Sequence, residues 1–155
     1  MAEPADLSPT IIESLYSEAL VLADEARAAF DLSGRLDIAG EDEDLARVAL
    51  SCEALRTTTR MMHAIAWLLN QRAYFAGELS EFQLRQHGRL PASQPPSKPE
   101  TLAMIGPDTR ELIRHTERFH ARIARLDNAW RERFAMHPSA IHRLRERINH
   151  ELGAV

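Results

Sequence analysis

The sequence predicts an all-α protein, a three-helix bundle with a short accessory helix and a C-terminal tail that is helical or flexible. Three long segments carry apolar residues at alternating spacings of three and four, which is the period of an amphipathic helix. No segment of the sequence alternates apolar and polar residues as a strand does. The 155 residues are enough for a single domain with its own core.

The first helix is predicted to begin at Ser8-Pro9, because Ser caps helix N-termini and Pro fits the first helical position. It should end near Gly34, which suits a left-handed C-terminal turn. Four consecutive acids at 41–44 then stand where the second helix begins, and negative charge there complements the helix dipole. The stripe of the first helix comprises Ile12, Leu15, Ala19, Leu22, Ala26 and Ala29 or Phe30.

The second helix is the longest predicted element and should end at Gly77, because more than four heptads precede that glycine without a Pro or Gly. Cys52 lies on its apolar stripe, so we expect a buried and unreactive thiol. We expect the stripe to face the bundle, and it comprises Leu45, Val48, Cys52, Leu55, Thr59, Met62, Ala66, Leu69, Ala73 and Ala76.

The second helix also carries large apolar side chains on its other flanks. A helix that is apolar all round should be surrounded on every side. A homodimer, in which copies of the second helix make an isologous contact, would supply the missing cover. The alternative is that these side chains are plain monomer core. The predicted dimer or partner interface comprises Met61, Trp67, Leu68, Tyr74 and Phe75.

A short accessory helix is predicted at 80–87, since Ser80 and Gln83 have the spacing of a capping box. The proline-rich segment 88–105 is expected to be a flexible linker within the single domain 1–155. Its prolines should keep the chain locally stiff and extended.

The third long helix is predicted to begin at Gly106-Pro107-Asp108 and to end near residue 137. Residues 138–155 form an Arg-rich tail with apolar residues at helical spacing, suited to docking on the bundle or to a partner or membrane surface. The stripe of the third helix comprises Leu112, Thr116, Phe119, Ile123, Leu126, Trp130 and Phe134.

No catalytic, cofactor-binding or metal-binding residues are predicted, and the chain is expected not to be an enzyme. The seven histidines form no His-Glu-x-x-His or paired Glu-x-x-His motif. No Gly-rich phosphate loop and no Gly-x-Ser-x-Gly elbow occurs. His63 as a phosphoacceptor is disfavoured, because the apolar "HAIAWLL" offers no cation for a phosphoryl group. A partly buried polar residue at the bundle edge is the favoured interpretation of His63.

Charge is distributed unevenly along the chain. Residues 1–50 hold 12 acids and 3 arginines, whereas residues 101–155 hold 10 arginines and 7 acids. Glutamates interleave the arginine row of the third helix, so a solvated or paired face is favoured over nucleic-acid binding. Arginines expected to bind acidic partners are Arg56, Arg60 and Arg72 of the second helix and Arg114, Arg118 and Arg122 of the third.

The sequence predicts a cytoplasmic protein without a membrane span. The N-terminal "MAEPADLSPT" lacks the basic and apolar regions of a signal peptide. Cys52 is the single cysteine, so no intrachain disulfide can form. The longest apolar stretch is shorter than the roughly 18 residues that a membrane span needs.

Three segments resemble the RcdA family, the bacterial regulators of CtrA degradation: "EALRTTTRMMHAIAWLLNQRAYFAGELS", "ESLYSEALVLADEARAAFD" and "RFHARIARLD". The first is the most specific, above all "TTRMM" followed by "AWLLNQRAYFAGE". The segments lie in all three long helices, and the linkers and termini carry no match. The shared motifs are structural and not catalytic.

The resemblance implies a bundle that dimerises and acts as a proteolytic adaptor, helping to deliver substrates such as a cell-cycle transcriptional regulator to the ClpXP protease. It also implies a response-regulator-type partner, a cyclic-dinucleotide-binding effector and recruitment to the cell pole. The alternative is a DNA-associated or other helical regulatory protein that acts through dimerisation. Steeply salt-sensitive DNA binding would distinguish that alternative.

Overall fold

The computed structural model describes residues 7–35, 43–136 and 140–153. These residues form six α-helices and no strand, and the three long helices pack against one another. The predicted all-α bundle is therefore confirmed. The helices in chain order are α1 (Pro9–Arg35), α2 (Glu43–Phe75), α3 (Glu81–His87), α4 (Pro99–Ala103), α5 (Pro107–Met136) and α6 (Ala140–Leu152).

Local signals set several helix ends, as the sequence predicts, but α1 continues through Gly34 to Arg35, so Gly34 is helical and does not form the predicted left-handed turn. The Ser8 hydroxyl accepts a hydrogen bond from the Ile11 amide at 3.3 Å and so caps α1. Gly77 follows α2 with a φ of 78°, a left-handed conformation that glycine adopts without steric cost. Ser80 and Gln83 make both hydrogen bonds of a capping box at the start of α3. The five-residue helix α4 is the one helix that the sequence did not predict.

The hydrophobic core lies where the three long helices meet. Full burial of each large apolar side chain contributes about 1.5–3 kcal/mol, so this cluster supplies much of the stability of the bundle. Its α1 members confirm the predicted stripe of the first helix. The cluster comprises Ile12, Leu15, Ala19 and Leu22 of α1, Met61, Ala64, Trp67 and Leu68 of α2, Phe119 and Ile123 of α5, and Leu90.

The orientation predicted for α2 was wrong, because its apolar stripe faces outward. Leu45, Val48, Leu55 and Met62 are each about 60–70% exposed. The inner face instead combines the large core residues Met61, Trp67 and Leu68 with alanines and with polar residues that find partners on α5 and in the proline-rich segment. The buried residues of α2 are Ala46, Ala49, Glu53, Thr57, Arg60, Met61, Ala64, Trp67, Leu68 and Gln71.

The carboxylate of Asp127, 3% exposed on α5, joins several parts of the chain. Trp67 Nε1 donates to it at 2.9 Å, and the Leu90 amide donates to its second oxygen at 3.3 Å. Arg131 Nε lies 3.2 Å from both oxygens and balances the charge. The same Arg131 donates to the Arg85 carbonyl of α3 at 3.1 Å. A buried carboxylate needs such partners, because its desolvation is otherwise costly.

The proline-rich segment 88–105 is docked on the bundle, so the expectation of a flexible linker was wrong. Leu90 is 8% exposed and belongs to the core. The Ser97 hydroxyl donates to the buried Glu53 carboxylate at 2.8 Å, and Arg56 donates to the Pro95 carbonyl. Composition predicts the stiffness of this segment, but these hydrogen bonds determine its place.

The predicted tail 138–155 contains α6. Leu144 and Ile148 of this helix are exposed, so their side chains are not part of the core. The other apolar residues predicted there, Ile141 and Leu152, have side chains outside the described set, as does Phe134.

Replacing Asp127 with Ala should destabilise the bundle by roughly 3 kcal/mol, because Trp67 Nε1 and the Leu90 amide lose their acceptor and Arg131 loses its counter-charge. Urea unfolding followed by far-ultraviolet circular dichroism measures the loss. Glu132→Ala removes an exposed carboxylate from the same helix and should change stability by less than about 0.5 kcal/mol. Equal losses in the two variants would show that the Asp127 contacts contribute little.

Candidate interaction surfaces

The outward stripe of α2, hereafter the outer face of α2, is a continuous apolar surface. At 1.5 Å per residue it runs for roughly 36 Å along the helix. Monomeric proteins rarely expose long continuous apolar patches, and such a patch usually marks a contact with another molecule. The large side chains of the outer face are Leu45, Val48, Cys52, Leu55, Met62 and Leu69, all exposed.

The structure divides the predicted interface set. Met61, Trp67 and Leu68 are at most 3% exposed in the core of the chain itself, so they offer no surface to a partner and that part of the prediction was wrong. Tyr74 is half-buried and Phe75 is exposed, at the C-terminal end of α2, with ring centroids 5.3 Å apart. Those two residues stay candidates for a partner contact.

Cys52 is exposed, and the expectation of a buried thiol was wrong. The cause is the orientation of α2, which turns the whole predicted stripe outward. Cys52 therefore contributes to the outer face and not to the core.

The three arginines of α2 are committed within the chain, contrary to the expectation that they meet acidic partners. Arg60 is 8% exposed and donates to the Thr116 hydroxyl at 2.9 Å. Arg72 donates to Glu13 of α1 at 2.6 Å, and its guanidinium carbon lies 4.4 Å from the centroid of the Tyr16 ring. Arg56 donates to the Pro95 carbonyl of the proline-rich segment.

The arginine row of α5 is partly paired with acidic residues. Arg122 donates to Glu18 of α1, so it belongs to the contact between the two helices. Arg118 lies 3.0 Å and Arg114 lies 3.9 Å from the same carboxylate, that of Glu111. Both Arg114 and Arg118 are about 60% exposed in these ion pairs, so this end of the row can contact a partner.

A cleft of about 690 Å³, hereafter the basic cleft, lies between α2, α5 and residues 89–96. Leu90, Pro91, Ala121 and Ala124 form an apolar wall. Sequence patterns do not reveal this cleft, because its residues meet only when the proline-rich segment docks. Its cationic and imidazole side chains are Arg56, Arg60 and His63 of α2, His120 and Arg125 of α5, and Arg89.

Burial shapes the electrostatics of the cleft. It lowers the pKa of the Arg60 guanidinium, an effect that Glu117 partly opposes, and arginine still stays protonated in proteins. Burial also lowers the pKa of His120, and the positive charge of Arg60 and the nearby His63 lower it further. The neutral imidazole is therefore the favoured form of His120 at neutral pH.

The described parts of the chain hold neither a cluster of metal ligands nor a helix suited to spanning a membrane. There, no group of three or more His, Cys, Asp or Glu side chains could hold a metal ion. None of the described helices is both long enough and apolar enough to cross a lipid bilayer.

The fold and these surfaces define a small all-α bundle protein whose longest helix presents an apolar face on one side and a basic cleft on another. The chain belongs to the family described as "Protein of unknown function (DUF1465)", which matches residues 4–152. No curated protein and no solved structure matches the chain.

Protonation of His120 should destabilise the fold as the pH falls through the ordinary histidine pKa of 6.5. Because the folded-state pKa is lowered, the unfolded chain takes up this proton first, and stability is fully present only above that pH. The loss cannot exceed about 1.4 kcal/mol per pH unit for one proton.

Urea unfolding at about pH 7.5 and about pH 5.5 measures the effect. His120→Gln should lose less stability between the two values than the wild-type chain. His115→Gln, at an exposed position of the same helix, should behave as wild type. Identical losses in all three proteins would rule out His120 as the responsible group.

Proposed function

We propose that this protein is a non-enzymatic adaptor of the RcdA type. It helps to deliver protein substrates, such as a cell-cycle transcriptional regulator, to the ClpXP protease, and it works as a homodimer. The outer face of α2 carries the proposal, because an exposed apolar stripe on the longest helix serves protein contact and not chemistry. ClpXP is named as the protease because segments from all three long helices resemble that family.

A second copy of the chain fits the outer face of α2 through its pattern of side-chain sizes. In an antiparallel pair of α2 helices related by a two-fold axis near Thr59, residues whose numbers sum to about 118 lie opposite one another. Leu45 then faces Ala73, Val48 faces Leu69, Cys52 faces Ala66 and Leu55 faces Met62. Larger side chains meet smaller or flexible ones, which favours close packing of two helices at the usual axial distance of about 8–10 Å.

A dimeric adaptor accelerates degradation by tethering. Binding one partner with each surface raises the effective concentration of the substrate at the protease without any new catalytic group. The exposed Arg114 and Arg118 offer a contact for an acidic partner of the response-regulator type. Their ion pairs with Glu111 are exposed and therefore weak enough to exchange.

Replacing Leu55 and Met62 together with Glu should break the dimer, because two charges would be buried on each side of the two-fold axis. Sedimentation equilibrium at micromolar concentration should give twice the chain mass of 17.5 kDa for wild type and the single mass for the variant. Val21→Glu is the matched control, since it places a charge at a similarly exposed apolar position of α1 and should leave the dimer intact. A monomeric wild-type chain would remove the dimer from the proposal.

Addition of the protein to purified ClpXP should accelerate degradation of its cell-cycle substrate. The double variant Arg114→Glu and Arg118→Glu should weaken partner binding roughly three- to tenfold, since each exposed pair contributes on the order of 0.2–1 kcal/mol. Arg27→Glu, an exposed arginine of α1, is the control and should retain full stimulation.

Unchanged degradation in the presence of the protein would contradict the adaptor role. If the chain instead bound duplex DNA with an affinity that fell steeply as salt rose, the DNA-associated alternative would replace it.

A further inference from the structure

The basic cleft carries a surplus of positive charge. Four arginines line it against the carboxylates of Glu117 and Asp127, and the buried Glu53 beside it pairs with Arg56 at 3.7 Å. Both oxygens of Asp127 already accept hydrogen bonds inside the bundle. Arg89 and Arg125 stand exposed at the cleft and make no ion pair with any residue that the structure describes. The surplus is therefore available to an anion from outside the chain.

One of these cations is built into the interior. Arg60 is 8% exposed, although burial of a guanidinium costs free energy that a surface arginine avoids. Its nearest carboxylate, Glu117, is 3.9 Å away and half-exposed, which is long for a charge-assisted hydrogen bond. Arg60 also donates to the Thr116 hydroxyl, and it lines the cleft, where its guanidinium can meet a bound anion.

The dimensions and walls of the cleft indicate a small molecule. A volume of about 690 Å³ lies within the range of roughly 300–1,000 Å³ that is usual for small-molecule sites. Leu90, Pro91, Ala121 and Ala124 offer an apolar wall to an organic group. Donors approach from three separate elements, α2, α5 and the proline-rich segment. Such an arrangement suits the several acceptor oxygens of a phosphate better than the planar pair of a carboxylate.

We propose that the basic cleft binds a small organic phosphate, with Arg60, Arg89 and Arg125 around the phosphate group and the organic part against the apolar wall. His63 and His120 add ring N–H donors beside the same position. This site is independent of the proposed adaptor function and of the outer face of α2. Because it joins two long helices to the docked segment, an occupant braces the three elements together and stabilises the fold.

Calorimetric titration of the full chain with glycerol 3-phosphate and with inorganic phosphate tests the proposal. Both probes should bind saturably and raise the melting temperature, and citrate, whose carboxylates are planar, should bind roughly tenfold more weakly at matched ionic strength. The double variant Arg89→Ala and Arg125→Ala should lose at least about tenfold in affinity for glycerol 3-phosphate. Arg27→Ala and Arg110→Ala together, both outside the cleft, form the control and should bind as wild type.

Proton–carbon NMR spectra of the imidazole rings locate the binding. Glycerol 3-phosphate should shift the resonances of His63 and His120 and leave those of the exposed His115 unchanged. Absence of saturable binding, equal affinity for citrate, or full binding by the Arg89/Arg125 variant would each overturn the assignment. Because both replaced arginines are exposed, an unchanged circular dichroism spectrum confirms that a loss of binding is not a loss of fold.

Discussion

The buried carboxylate of Asp127 is the interaction on which most of this structure depends. It accepts from Trp67 of α2 and from the backbone of Leu90, and it pairs with Arg131, which in turn holds the last turn of α3. The hydrogen bond from Trp67 is directional, so it resists rotation of α2 about its own axis. The bond from Leu90 fixes the start of the proline-rich segment. One buried side chain therefore sets the rotation of α2 and the position of one wall of the basic cleft.

The rotation of α2 leaves large apolar residues on both sides of the helix. Met61, Trp67 and Leu68 face inward beside alanines, Thr57 and the charged Glu53 and Arg60, and a second row of large apolar residues faces solvent. Small inner residues allow close approach to α1, and the buried charges find partners in Ser97 and Thr116. Within the monomer the side chains of the outer row stay in contact with water, so folding gains no hydrophobic free energy from them. That free energy is available to association, which is the physical basis of the proposed dimer.

Helix ends were predictable because their signals are local. Ser8, Gly77 and the pair Ser80 and Gln83 act on neighbouring backbone, so sequence spacing alone is enough. The direction that α2 faces was not predictable in this way. Periodicity reveals an apolar stripe, but a stripe that packs in the core and one that packs on a partner have the same period. The basic cleft was missed for a related reason, since Arg89 and Arg125 are distant in sequence and meet only after the proline-rich segment docks.

The basic cleft and the outer face of α2 are formed by different sides of the same helix. The cleft takes Arg60 and His63 from the inner side, whereas the outer face takes Leu55 and Met62. Coupling between the two sites requires a second arrangement of α2 that each ligand would favour differently. The bond between Trp67 and Asp127 opposes the rotation that such an arrangement would need. While that bond is intact, it therefore works against coupling of the two surfaces through rotation of α2.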